Sequence, residues 1–217
     1  MPGLPRARSV LAVCAHPDDE SFGLGAALSA LAEQGSEVAV LCFTHGEAST
    51  LGASSGPLHE IRAGELSAAA HVLGLSRVEL LDHADGSLAE VPLEVLCGEV
   101  ARLAAEQRPE LLVVFDLGGV TGHPDHCRAT EAALAAGALP VLAWALPDRV
   151  ARALSDEFGG VFVGRTDSAL DLSIALDRSR QHQAVACHGS QAGDNPVLLR
   201  RLELQGDREV FRWLGPM

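Results

Sequence analysis

The chain has 217 residues, 47% of them hydrophobic, and a formal net charge of −13. That is enough apolar material for a sizeable core within one domain. The negative balance disfavours nucleic-acid backbones and anionic membrane surfaces as partners. Arginine supplies the whole of the 16-residue basic complement, tyrosine is absent and aromatics reach only 4%; this bias names no function. The five cysteines, Cys14, Cys42, Cys97, Cys127 and Cys187, are scattered and form no CxxC pair. They predict reduced thiols in a cytoplasmic protein. Arg6 and Arg8 precede an apolar stretch as in a signal peptide, but the run stops at His16, too short for a cleavable leader. No run approaches the length of a membrane span.

An apolar, β-branched run at residues 10–13 ends at a cluster of ionisable side chains, His16, Asp18, Asp19 and Glu20. It predicts a strand buried on both faces, followed at residues 22–32 by a helix. Residues 37–43 predict a second strand, ending at Thr44, His45 and Glu47. Residues 49–57 are rich in glycine and serine and predict a mobile loop. Apolar residues at helical spacing predict a helix over 59–73, stopped by Gly74. A third strand is expected at 78–81 with a loop at 82–86, then a helix at 93–106 after Pro92. Residues 111–115 read as a fourth buried strand, ended by Asp116. A glycine-rich loop at 117–126, a helix at 128–136, a strand at 141–145 and a helix at 148–158 follow. From residue 161 the pattern changes: short strands at 161–163 and 168–172, a helix at 174–186 and a strand at 210–213. Strands alternating with helices imply a mostly parallel α/β sheet with right-handed crossovers. The last third, about residues 161–217, is expected to pack at one sheet edge as an extension of the same domain.

Ligands of open α/β sheets bind beyond the carboxyl ends of the strands, where His16 and its three acids fall. Like charges crowded there are relieved by a cation, and a histidine with an aspartate suits zinc. A second cluster, His123, Asp125 and His126, lies in the glycine-rich loop after the fourth strand.

The stretches AHPDDE at 15–20 and GHPDH at 122–126 resemble the two signature motifs of the LmbE/PIG-L-like deacetylases. These are zinc enzymes that remove acetyl groups from N-acetylglucosamine-type substrates. The resemblance implies a Rossmann-like layout and a metal held by His16, Asp19 and His126. It makes Asp18 the general base toward a zinc-bound water, whose pKa is near 7 as a rule of thumb. His123 is expected to protonate the leaving amine or to stabilise the tetrahedral oxyanion. Asp125 is expected to orient a histidine, and Glu20 to hold a ligand or start the helix. Some relatives carry a tyrosine where this chain has Thr121, so the oxyanion must rely on zinc, His123 or a backbone N–H.

Substrate contacts implied by the resemblance are Arg62, within the R-x-x-E stretch ending at Glu65, Asp85 before Gly86, and His188 in an H-x-S-Q segment. The plain alternative for Arg62 is a helical ion pair with Glu65. His45, His59, His71, His83 and His182 have no motif support, and Gly23 with Gly25 makes only half of a dinucleotide fingerprint. The expected activity is hydrolysis of an N-acetylated amino sugar with Zn²⁺, Fe²⁺ or Co²⁺. The alternatives are an amidase for a larger acyl group, such as a thiol-conjugate amidase, and a non-catalytic sugar-binding module. The partner is a small molecule, with no nucleic acid and no membrane; a homo-oligomer is left open.

Overall fold

In the computed structural model, which describes residues 3–51, 56–193 and 195–215, the aliphatic runs become strands because they have no polar face to give to water. They are β1 (Ser9–Cys14), β2 (Glu37–Thr44), β3 (Arg77–His83), β4 (Leu111–Phe115) and β5 (Val141–Pro147). Three short strands follow, β6 (Gly164–Arg165), β7 (Leu172–Ala175) and β8 (Arg208–Trp213). The sheet order is β3-β2-β1-β4-β5-β8-β7, with β6 beside β5. β1 to β5 run parallel, whereas β8 is antiparallel to β5 and to β7. The predicted α/β layout is observed, and the irregular last third adds its strands at the β5 edge.

Seven longer helices cover the sheet: α1 (Gly25–Glu33), α2 (Leu58–Leu73), α3 (Leu93–Gln107), α4 (Pro124–Ala135), α5 (Asp148–Phe158), α6 (Ser179–Cys187) and α7 (Pro196–Gln205). Successive strand residues point to opposite faces, and both faces are buried. Val10 and Ala12 of β1 pack with Leu28 and Leu31 of α1 and Leu154 of α5. Leu11 and Val13 pack on the other side with Leu96, Val100 and Leu103 of α3 and Ala129 of α4.

Several local expectations differ from the structure. The helix expected from residue 22 splits into a single turn, Asp19–Phe22, and α1. α4 starts at Pro124, earlier than expected, because His123 caps it and proline suits the first turn. Residues 161–163 form no strand, and 167–169 make a 3₁₀ turn before β7. Ile174 belongs to β7, and α6 begins only after Asp177 accepts the Ser179 N–H at 2.8 Å. The unexpected α7 opens with Asn195 capping Leu198 N and Pro196 in its first turn, a start signal present in the sequence. The loop predicted over 49–57 lies partly outside the described residues. All five cysteines are free. Among the described residues no helix is long and apolar enough to cross a membrane.

β1 sits where the sheet turns back on itself: later strands add beyond it on one side as β2 and β3, on the other as β4 and β5. Gly23 packs directly under this point. A Cβ there would lie 2.3 Å from Phe115 Cε1 and 3.3 Å from Trp144 Cζ3. Phe115 has little room to yield, because its ring lies between those of His126 and Trp144, with centroids 4.9 and 5.3 Å away. Gly23→Ala is therefore expected to cost about 1–3 kcal/mol by overpacking. Gly64→Ala, inside α2 with nothing within 4 Å, is expected to stabilise by about 0.5–1 kcal/mol. Thermal unfolding of the two variants checks the pair, and an unshifted Tm for Gly23→Ala would refute the overpacking.

Candidate metal and catalytic site

The loop after β1 delivers His16, Asp18 and Asp19, and the start of α4 delivers His123, Asp125 and His126. The fold brings both motifs to the same end of the sheet. Asp19 is 4% exposed, and its Oδ2 accepts the N–H groups of Ala15 and His16, both at 3.0 Å. Its Oδ1 lies 3.1 Å from His126 Nε2. His16 Nδ1 lies 3.1 Å from His126 Nε2 and 3.9 Å from Asp19 Oδ2.

The outer nitrogens fix what these inner ones can be. His126 Nδ1 donates to the Gly119 carbonyl at 3.0 Å. His16 Nε2 faces Asp85 Oδ1 at 3.0 Å and Asp125 Oδ2 at 3.4 Å. With those N–H bonds made, each neutral imidazole aims a lone pair at the other. A third lone pair comes from Asp19. A proton can serve one such contact at a time, whereas a cation serves all three, so the donor set fits a metal. Two further sets of ligand-capable atoms gather at the same place, His16 with His123 and His126, and His16 with Asp85 and Asp125.

The acids around His16 and His126 favour the protonated form of both histidines. Burial pulls the His16 pKa down, but hydrogen bonds to Asp125 and Asp85 outweigh it and raise it to about 10. Burial also opposes His126, and Asp19 outweighs it, for a net upward shift. Burial pushes Asp19 up, yet His126 and then His16 hold its carboxyl well below the usual range.

Asp18 faces a different partner. Its Oδ2 accepts from Arg62 Nη2 at 3.0 Å, and burial is the main reason its pKa rises to about 6, against the pull of Arg62. His123 caps α4 by accepting the Asp125 N–H on Nδ1 at 3.2 Å. Its Nε2 therefore carries the hydrogen. Burial, then His126 and His16, lower its pKa. Asp125 is buried and accepts Gly86 N at 2.8 Å and Leu88 N at 3.1 Å, so it ties the loop after β3 to His16.

A cavity of about 390 Å³ opens over this cluster, lined among others by His16, Asp18, Asp19, His123 and His126. Arg62 and Asp85 also line it, but both are engaged within the protein. Arg62 is 3% exposed and donates to the carbonyls of Gly46 and Pro17. Asp85 Oδ2 accepts Ala48 N at 2.9 Å. The alternative Arg62–Glu65 pair is not formed, because Glu65 accepts the N–H and hydroxyl of Ser190 at 2.8 and 2.6 Å.

His188, expected as a substrate contact, does not line the cavity. It is fully buried behind the site, with Nε2 2.7 Å from Glu20 Oε1. Glu20 makes no hydrogen bond to the side chains of His16, Asp19 or His126 among the described residues; it accepts the Asp18 N–H at 2.9 Å. His45 faces Asp82 at 3.0 Å. The aromatic wall formed by Phe22, Phe115, Trp144 and Phe162 was missed. The one sequence signal was that aromatics are so few.

The family model described as PIG-L: GlcNAc-PI de-N-acetylase matches residues 11–137. A 1D-myo-inositol 2-acetamido-2-deoxy-alpha-D-glucopyranoside deacetylase of Kineococcus radiotolerans is 35% identical over 167 residues, which cover 61% of this chain and 45% of that protein. Thus the chain spans less than half of that relative. Two solved structures share the fold. The 4-carboxy-2-hydroxymuconate hydratase GalB of Pseudomonas putida KT2440 has a TM-score of 0.75 at 20% identity, covering 97% of each chain. The A40926 pseudoaglycone deacetylase Dbv21 has a TM-score of 0.70 at 21% identity, covering 96% of this chain and 97% of its own.

Because the histidine pKa values are raised, a metal must displace protons to bind. Metal affinity is expected to climb as pH rises from 6 to 8, with protons released on binding. Calorimetric titration with Zn²⁺ in buffers of different ionisation enthalpy reads both. His126→Ala should lose most bound metal, and unchanged stoichiometry by elemental analysis would overturn the ligand set.

Proposed function

The chain belongs to the PIG-L de-N-acetylase family, and on that premise we propose that it is a zinc-dependent hydrolase acting on an N-acetylglucosamine-type substrate. One observation carries the reading: the His16 and His126 lone pairs and Asp19 converge on one point, and a separate buried carboxylate, Asp18, lies on the same cavity wall. Zinc held by His16, Asp19 and His126 would polarise the acetamide carbonyl and make a water acidic near neutral pH.

The rest of the chemistry falls to the chain's own side chains. Asp18 Oδ2 is held by Arg62, which leaves Oδ1 to take a proton from the attacking water. His123 presents Nε2–H, which donates to the oxyanion formed from the carbonyl oxygen. That supplies the donor that Thr121 does not, since the Thr121 hydroxyl bonds the Gly119 carbonyl at 3.4 Å. A doubly protonated His123 would oppose the Asp125 N–H, so the cap favours the oxyanion role over protonation of the amine. The proton stored on Asp18 then passes to the nitrogen as the C–N bond breaks, giving acetate and the free amino sugar. Asp85 and Asp125 orient His16 from behind.

Acetate release from N-acetylglucosamine glycosides by the zinc-loaded protein tests the reading. Turnover of acetyl-lysine peptides with none of any N-acetyl sugar would overturn the substrate class. Asp18→Asn is expected to keep its metal while kcat falls by roughly 10²–10⁴-fold; a fully active variant would remove Asp18 from the mechanism.

The base works only when deprotonated, so kcat/KM should fall as pH drops through about 6. Arg62 holds that pKa down, and Arg62→Met should move the acidic limb to higher pH. An unmoved limb in the pH–rate profile would separate Arg62 from the base.

A further inference from the structure

The cavity has two unlike wings on either side of β1. Over the ends of β2 and β3 lie Arg62, Asp85 and Ser49; Thr121, Gln191 and Asn195 also line the cavity, with Asn195 Oδ1 accepting the Leu198 N–H at 3.0 Å and Gln191 Oε1 accepting the Ser49 hydroxyl at 2.6 Å. Over the ends of β4 and β5 the wall is formed by Phe22, Phe115, Trp144, Leu146, Phe162 and Leu198. The chain has six phenylalanines and two tryptophans, and half of these eight rings stand in this one wall. They come from the turn after β1, from β4, from β5 and from the segment after α5, with Leu198 from α7 closing the top.

Arg201 is the cation of that wing, and its donors are turned inward. Its guanidinium stacks over the Trp144 ring at 5.1 Å. It donates to Gln205 Oε1 at 2.6 Å and to the Phe22 carbonyl. What the wing offers a ligand is therefore mainly ring faces and aliphatic carbon.

An acetyl group fills little of a 390 Å³ cavity, so the wing is built for something else on the substrate. In a 2-acetamido sugar the glycosidic carbon is the immediate neighbour of the carbon bearing the nitrogen. A substituent there sits within a few bonds of the reacting carbonyl and can reach a wing beside the metal. A polyhydroxylated aglycone, such as the inositol of the relative's name, would lose hydration against this wall without regaining hydrogen bonds. We propose that the substrate is an N-acetylated amino sugar carrying an apolar, aryl- or alkyl-type aglycone, seated between Phe115, Trp144, Phe162 and Leu198. The proposal rests on the deacetylase reading above.

The test uses the intact chain with phenyl, methyl and myo-inositol glycosides of N-acetylglucosamine. The phenyl glycoside is expected to exceed the inositol glycoside in kcat/KM by about ten- to a hundredfold, the scale of one apolar pocket contact. Calorimetry with the corresponding free glucosaminides should show the same order in Kd without any turnover. Phe162→Ser, in this wall and outside the catalytic cluster, should erase the phenyl preference by lowering kcat/KM for the phenyl glycoside far more than for the methyl glycoside. An inositol glycoside bound and turned over as well as the phenyl one would overturn the proposal. So would a methyl glycoside whose N-hexanoyl form is cleaved faster than its N-acetyl form, since the wing would then hold the acyl chain. If no glycoside releases acetate, the deacetylase reading fails, and the calorimetric order alone decides whether the wing selects apolar ligands.

Discussion

The site depends on how one carboxylate is tethered. Asp19 Oδ2 takes the two N–H groups just beyond the end of β1, from Ala15 and His16. A buried carboxylate is costly unless its lone pairs are used, and this tether uses one oxygen completely. The other oxygen is left to His126. The spacing of three residues between His16 and Asp19 matters because it closes a turn, with Asp19 N bonded to His16 O at 3.3 Å. The same turn that satisfies the strand end thus sets the angle between the His16 imidazole and the Asp19 carboxylate.

Neighbouring acids are separated by backbone strain. Asp18 has φ 121, a region that costs a non-glycine residue about 1–3 kcal/mol. Its N–H is fixed by Glu20, and its carbonyl accepts Ser21 N at 3.0 Å and Phe22 N at 2.6 Å. The twist sends Asp18 toward Arg62 while Asp19 turns to the histidines. Glu20 is itself held by His188, so a residue of the last third braces the conformation of the first loop. Val120, with φ 62, is the counterpart in the loop before α4. Its carbonyl accepts Val163 N at 2.8 Å, which locks the segment that carries His123 and His126.

This arrangement explains what the sequence could and could not disclose. Continuous aliphatic runs with no polar face have one stable environment, so β1, β2 and β4 were legible almost to the residue. That His16, Asp19 and His126 come together was legible because the first two close a short turn and the third follows the His123 cap of α4 by one turn, and local spacing records such geometry. The partners of His188 and Arg62 were not legible, because Glu20, Pro17 and Gly46 lie far away in the chain. A helical i,i+3 spacing offered Glu65 to Arg62, but burial at 3% exposure selects backbone carbonyls instead. The short strands β6 and β7 carry too few residues for an alternating pattern to show. The aromatic wall is assembled from four elements, none of which has an aromatic motif of its own.

The fold by itself does not choose the chemistry, since a hydratase shares it at a TM-score of 0.75. What distinguishes one occupant of such a crevice from another is which atoms face inward. Here the two imidazoles are pinned from behind by loops on opposite sides of β1. Asp85 from the loop after β3, with Asp125, sets His16, and the Gly119 carbonyl from the loop after β4 sets His126. Neither pin belongs to the sheet, so either can change without disturbing the core. Losing one would free a ring to swap its N–H inward, and two facing lone pairs would become an ordinary N–H to N hydrogen bond that needs no cation. The geometry that would hold a cation is thus set by three outward hydrogen bonds from the loops and the start of α4, while the parallel sheet supplies only the distance across which they act.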